Sequence, residues 1–218
     1  MNLRQEKKFW QKGFKIVAGV DEAGRGALAG PLTAAAVAIL PFGKNYLDFP
    51  LGPLRKIKES KQLKPCQREF FYQVILERQE IFWSVASVSN KIIDEINILE
   101  ATKLAMKKAV KSLEKKIQKI NKNPALKIDF LILDGISKIE LPLAQKALIK
   151  ADQKVFSCAA ASIIAKITRD RLMKKWHKKY PVYRFDINKG YATFFHCQAI
   201  RKFGFCSIHR KSFQIPLK

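Results

Sequence analysis

Carboxylates are scarce in this chain: 18 Asp plus Glu stand against 42 Lys plus Arg, a formal net charge of +24 over 218 residues. That balance points to a polyanionic partner, nucleic acid first and an anionic membrane surface second. Binding through it is expected to weaken steeply with salt. Cysteine is sparse too. Cys66, Cys158, Cys197 and Cys206 form no Cys-x-x-Cys pair, which favours free thiols in a reducing compartment. Long apolar runs are missing. The longest uncharged stretch, Gly26 to Gly43, has 18 residues and is interrupted by Gly30, Pro31 and Pro41, a poor membrane span where about 20 apolar residues are needed. The N-terminus carries Arg4, Glu6, Lys7 and Lys8 without a following apolar region, so no signal peptide is expected and the protein is placed in the cytoplasm. No internal repeat or low-complexity linker is present. With 48% hydrophobic residues, disorder is excluded as the overall state, and one core suffices without disulfide or metal staples.

The apolar runs that do occur are short and punctuated. Ile16 to Val20 ends at Asp21-Glu22, Leu32 to Leu40 stops at Pro41, and Ile81 to Val88 makes a third strand. Residues 41–63, rich in proline and lysine, read as an exposed loop, and Pro65 opens a helix running to about Gln79. Residues 91–119 read as a helix with Ile92, Ile96, Leu99, Leu104 and Ala105 as its buried stripe. Ile128 to Leu133, ending at Asp134-Gly135, suits a strand covered on both faces, and Leu143 to Ile149 adds an edge strand. Phe156 to Lys179 reads as a helix, buried in its first half, with a basic second half emerging into water. A last helix, about Thr193 to Phe203, closes on Gly204 as a left-handed cap. Strands interleaved with helices make an α/β sandwich.

Because acids are few, their placement carries information. Asp21 and Glu22 follow one apolar strand, Asp134 another, and Asp152 opens the buried helix. Strand ends are where an α/β sheet presents functional groups. Four converging carboxylates would repel one another and raise their pKa values. A pair of Mg²⁺ or Mn²⁺ ions removes that conflict and, beside a phosphate-holding basic surface, suits two-metal phosphodiester hydrolysis. Structural roles compete: Asp before Gly is a common turn, and Asp152 can simply cap a helix. Gly24-Arg25-Gly26 follows the first two acids, and flanking glycines allow close backbone approach while Arg25 can bond phosphate.

Val20-Asp21-Glu22-Ala23-Gly24-Arg25-Gly26 with Ala29-Gly30-Pro31 resembles the signature of the type 2 ribonucleases H, the ribonuclease HII family. Further blocks resemble it in order: Ser60-Lys61-Gln62-Leu63, Ile96 to Thr102, Leu133-Asp134-Gly135, Ala151-Asp152 with Ala159 to Lys166, Arg169-Asp170-Arg171, Lys189-Gly190-Tyr191, and Ser207 to Phe213. The resemblance spans roughly residues 15–214. It implies a ribonuclease H-like α/β fold: a central mixed β-sheet flanked by helices, with a helical C-terminal extension. One catalytic domain is expected over 1–218, its core about 15–180 and its helical part about 181–218. The resemblance further implies that Asp21, Glu22, Asp134 and Asp152 are the catalytic acids, the first three being metal ligands for Mn²⁺ or Mg²⁺, two ions during catalysis. Gly24, Arg25 and Gly26 would read the ribose 2′-hydroxyl, the one group that separates RNA from DNA. Tyr191 would pack on the following sugar and favour a deoxynucleotide there. From the residues alone Lys61 and Lys166 can touch phosphate, although among so many lysines any single one is more often a solvated charge. The implied partners are RNA–DNA hybrid and ribonucleotide-containing duplex DNA, with no membrane and a monomeric protein. The implied reaction cuts the RNA strand, or 5′ of a lone ribonucleotide, leaving a 3′-hydroxyl and a 5′-phosphate, as in replication and ribonucleotide excision repair.

Two positions depart from the family pattern: Glu59 stands where Asp commonly precedes Ser-Lys, and Ala192 where Gly often follows the tyrosine. The sister type HIII usually carries an extra N-terminal domain and lacks the arginine in the glycine turn, so Arg25 favours type HII. His196 and His209 can be read as a metal pair, but hard-ion chemistry does not need them, and packing in the C-terminal part is expected for His209. Two rivals stay open from the residues: a non-catalytic basic binding protein, for which the acids would be dispensable, and a metal-dependent nuclease indifferent to ribose, for which the glycine turn and Tyr191 would be idle.

Overall fold

The computed structural model describes residues 1–40, 50–135 and 137–216. Among the described residues, five strands form one mixed sheet: β1 (Val17–Ala23), β2 (Leu32–Ile39), β3 (Ile81–Val88), β4 (Phe130–Asp134) and β5 (Ala144–Leu148), in the spatial order β3-β2-β1-β4-β5. β1–β2 and β2–β3 pair antiparallel, while β1–β4 and β4–β5 are parallel. The helices are α1 (Arg4–Trp10), α2 (Pro65–Glu77), α3 (Asn90–Ile120), α4 (Ala151–Lys154), α5 (Phe156–Lys179), α6 (Phe185–Asn188) and α7 (Phe194–Phe203).

Small residues decide how closely the layers approach. A Cβ on Gly19 of β1 would lie 2.5 Å from the backbone of Ser157 and Cys158, so α5 sits directly on the centre of the sheet. Its Ala159-Ala160-Ala161 run is fully buried there, with Val17, Ala35 and Val37 beneath it. On the opposite face α3 covers Ala18, Val20, Ala34 and Ala36. The N-terminal α1, which the sequence pattern did not mark, joins the α5 side. Phe9 stacks on Phe130 with centroids 4.0 Å apart, and the buried Glu6 accepts from the Ser157 N–H (2.8 Å) and hydroxyl (2.9 Å), capping the start of α5 from outside.

Several expectations change. Of the expected loop, residues 41–49 lie outside the described residues; of the rest, Gly52–Lys56 forms a 3-10 turn, and Leu51, Leu54, Ile57, Ser60 and Leu63 are buried against the α5-side core rather than exposed. In α3 the expected stripe is displaced. Leu99 is exposed, Ile92, Ile96 and Leu104 are half-buried, and Ile93, Ala101, Ala105, Met106, Ala109, Val110, Leu113 and Ile117 face the sheet. The cause is Asn97, at φ 65 and ψ 168, whose side-chain oxygen accepts from the N–H groups of Leu99 (2.9 Å) and Glu100 (3.2 Å). It acts as an internal N-cap and restarts the helix, so a single 3.6-residue period cannot run through it. The second half of α5 does not simply emerge into water, because Arg169 and Met173 are fully buried under the C-terminal segment. α7 ends on Gly204 as expected, at φ 73 but with ψ −168 rather than the left-handed helical value, its N–H donating to the Ile200 carbonyl at 2.8 Å, and the helix is capped at its start by the Thr193 hydroxyl accepting from His196 N–H. All four cysteines are free. Among the described residues no helix is long and apolar enough to cross a membrane.

Candidate active site

The parallel register of β1 and β4 builds the site. Val20 pairs with Leu133, so the next residues, Asp21 and Asp134, stand side by side at the carboxyl edge of the sheet. Both lie inside their strands rather than beyond them: Asp21 and Glu22 still pair with Ala35 and Ala34. Asp152 is not in the long buried helix either. It belongs to the single turn α4, separated from α5 by the extended Val155. Lys150, left-handed at φ 58 and ψ 45, turns the chain back so that the Ala151 N–H donates to Asp134 Oδ1 at 2.6 Å. Asp152 thereby arrives beside Asp134. Oxygens of Asp21, Asp134 and Asp152 all lie within 4.8 Å of one another.

One cavity of about 490 Å³ is lined by every residue expected to act in catalysis or substrate binding, while His196 and His209 lie outside it. Asp21, Glu22, Asp134 and Asp152 line one part, and Gly24, Arg25 and Gly26 the next. Lys61 and Tyr191 complete it, together with Lys166 and two hydroxyls, Ser60 and Ser162. Those hydroxyls were not among the sequence candidates. Ser162 donates to Asp21, and Ser60 sits 2.9 Å from Ser162 and donates in turn, fixing which way the buried carboxylate faces. Ser162 had a signal, as the one polar side chain in an apolar helical stretch; Ser60 had none beyond its motif.

The electrostatics follow from crowding acids out of water. Burial raises Asp21 well above the usual carboxylate range, and the charges of Glu22 and Asp134 add to it. Glu22 is raised by burial while Arg25 pulls it back. Asp152 moves from 3.8 to about 7 through burial, then through its hydrogen bond with Glu59 and the charge of Asp134. The departure from the family pattern at Glu59 thus touches the site: its longer side chain reaches Asp152 and accepts from Gln153 at 3.1 Å.

The relatives decide what this arrangement belongs to. A family model described as ribonuclease HII matches residues 18–215. The chain belongs to the ribonuclease HII family. It is 43% identical to a ribonuclease HII of Syntrophus aciditrophicus, over 96% of this chain and 89% of that one. It is 48% identical to a ribonuclease HII of Chlamydia muridarum, over 95% and 86%. Among solved structures, a ribonuclease H2 from Pyrococcus horikoshii OT3 superposes with a TM-score of 0.68 at 28% identity, covering 92% of this chain and 94% of that one. The protein is therefore an enzyme, a metal-dependent endonuclease, and the mixed sheet with its helical C-terminal region is the ribonuclease H-like fold.

Two buried arginines brace the glycine turn of this ribonuclease HII chain, and sequence reasoning passed over both. Arg210 donates to the carbonyls of Gly24 (2.7 Å), Arg25 (2.9 Å) and Gly30 (3.1 Å). Arg169 donates to Ala29 (3.0 Å), Pro31 (2.9 Å) and Lys189 (2.9 Å). Gly24 has φ +92, and a Cβ there would meet Arg169 Nε at 1.9 Å, so the turn closes onto that guanidinium only as glycine. Gly190 docks likewise: its carbonyl accepts from Leu28 and Ala29 N–H, and a Cβ would meet the Ala29 oxygen at 2.4 Å. Tyr191 is thereby delivered to the cavity, with Arg169 and Lys166 5.2 and 5.5 Å from its ring centroid.

Proposed function

We propose that this enzyme hydrolyses the RNA strand of RNA–DNA hybrids and cuts 5′ of single ribonucleotides in duplex DNA. The observation that carries the reading is the meeting, in one cavity, of an acid cluster with a glycine turn and an aromatic side chain. The donor set is all carboxylate oxygen, which fits hard divalent cations, Mg²⁺ or Mn²⁺. Asp21, Glu22 and Asp134 would hold them and Asp152 would complete the site. When bound as a pair, such ions supply water activation for in-line attack and charge stabilisation of the leaving 3′ oxygen, giving 3′-hydroxyl and 5′-phosphate ends. Backbone groups of Gly24 to Gly26 reach the ribose 2′-hydroxyl, and the Tyr191 ring packs on the next sugar. Phosphates run along the basic side: Lys61 and Lys166 in the cavity, then Arg68, Lys174 and Lys189 in an adjoining cavity of about 350 Å³ that shares Lys166.

The test compares a DNA duplex carrying one ribonucleotide, an all-DNA duplex and an RNA–DNA hybrid, with Mg²⁺, with Mn²⁺ and with chelator. Metal-dependent cutting of the first and third, and not the second, is expected. Equal cutting of all-DNA duplex removes the ribose-reading role of the turn. Binding without cutting in either metal removes the catalytic assignment of the acids.

The metal-free protein has its own signature. Asp152 has a folded pKa near 7 against an ordinary 3.8, so its contribution to stability is complete below pH 3.8 and is lost as pH rises through about 7. Asp152→Asn carries no such charge. Melting curves in chelator are expected to show the variant gaining on the parent between pH 4 and 8, with the gap closing when Mg²⁺ or Mn²⁺ is added. A gap that narrows with rising pH contradicts the crowded-acid picture.

A further inference from the structure

His196 and His209 are buried, at 0% and 1% exposure, and neither lines the acid cavity. Their nitrogens form a chain with only one consistent protonation pattern. The Cys206 N–H can only donate, so His209 Nδ1, 2.9 Å away, accepts, and its proton sits on Nε2. That Nε2–H points at His196 Nε2, 3.1 Å away, which must then accept. His196 therefore carries its proton on Nδ1, 2.8 Å from the Tyr191 carbonyl, which can only accept. Both ends of the chain are backbone groups with fixed roles, so the two tautomers are determined. Burial keeps both imidazoles neutral, His209 falling to about 4 with His196 adding to the effect.

The chain also closes a ring around the site. His209 bridges Ala29 in antiparallel fashion, with Gly30 N–H donating to the Ile208 carbonyl and Arg210 N–H to that of Leu28, each at 2.8 Å. Ala29 follows the glycine turn, and Gly190 docks on it from the other side. Tyr191 is thus tied to the turn by two routes: through Gly190 directly, and through His196 and His209. Rings of Tyr183, Phe185 and Phe205 pack on the two imidazoles, with centroids 4.8 to 6.4 Å away, and exclude other partners.

We propose that the His196–His209 pair is a positioning device that sets the distance between Tyr191 and the glycine turn, and so sets the preference for a deoxynucleotide after the ribonucleotide. This rests on the reading of Tyr191 given above. Recognition of a ribose followed by a deoxyribose needs both elements in register at once; loosening Tyr191 alone reduces the discrimination while leaving the acids untouched.

Two near-isosteric substitutions each cut the histidine route at a different bond and leave the Gly190 route intact. His196→Asn places an amide N–H where Nδ1 stands and keeps the bond to Tyr191 but has no group at Nε2 to meet His209, whereas His196→Gln places its amide where Nε2 stands and loses the bond to Tyr191. The readout is the ratio of kcat/KM on a single-ribonucleotide duplex to kcat/KM on an RNA–DNA hybrid, with melting curves taken alongside. Both variants are expected to fall about fivefold from the parent ratio, the effect of one net hydrogen bond lost from the route in each case. In a Tyr191→Ala background neither should change the ratio further. A ratio within about twofold of the parent in either variant, or additivity with Tyr191→Ala, overturns the positioning role. If Tyr191→Ala alone leaves the parent ratio intact, the reading of Tyr191 fails, and the role of the pair with it.

Discussion

Asp134→Asn is expected to reduce cutting of a ribonucleotide-containing duplex about a thousandfold or more while leaving the protein folded. Asp134 stands at the end of β4 with an oxygen within 4.8 Å of those of Asp21 and Asp152, and one of its oxygens is already engaged by the Ala151 N–H. Asparagine has the same volume and can keep that acceptor, so the turn into α4 survives. It removes a negative charge from the oxygen cluster, where several kcal/mol of transition-state stabilisation depend on held cations, and each ~1.4 kcal/mol is tenfold in rate. Because Asp21 and Glu22 both feel the Asp134 charge, its loss relieves repulsion, and the melting temperature in chelator should stay level or rise. A folded variant cutting within tenfold of the parent rate would show that Asp134 is not part of the metal cage.

Arg210→Met is expected to have the largest effect on stability. The side chain is 1% exposed, and its three bonds end on the carbonyls of Gly24, Arg25 and Gly30. Methionine fills much of the same space, yet leaves three carbonyls without this donor, and the bonds to Gly24 and Gly30 are buried. At about 1–3 kcal/mol for each of the two buried bonds left unmade, the loss is on the order of 2–6 kcal/mol, or about 4–24 °C in melting temperature for a chain of this size. Arg210→Lys should recover only part of it, since one ammonium cannot span three carbonyls set in a fork. The same variant should also lose discrimination between ribonucleotide-containing and all-DNA duplexes, because the turn it braces is the one placed against the 2′-hydroxyl. Thermal melts and paired cleavage assays check both. A shift under about 3 °C would mean that the turn holds its shape without the guanidinium.

Much of the architecture was legible because it is written locally. Apolar runs of five to nine residues, three of them ended by Pro or Asp, marked the strands, and the small and apolar residues of Cys158 to Ala165 marked a buried helix. The scarcity of acids made the four at strand ends and helix starts conspicuous, and all four line one cavity. Periodicity failed where one side chain overrides it: Asn97 caps the helix from inside, and the stripe read across that point was displaced. Composition misled at Arg169, since an arginine among lysines reads as solvated until the carbonyls that bind it are known.

By itself the sequence determined the charge balance, the alternation of strands and helices, and the set of carboxylates, glycines and tyrosine available for chemistry. These depend on residue identity and on patterns a few residues long. Only the tertiary structure decided that Asp21 stands beside Asp134, that Asp152 is turned toward them, and that Tyr191 is docked onto the glycine turn by Gly190 and a histidine pair. Those outcomes depend on strand register, on the left-handed turn at Lys150, and on partners more than a hundred residues apart. No local propensity encodes them; they follow from which arrangement buries the apolar faces while leaving each carbonyl a donor.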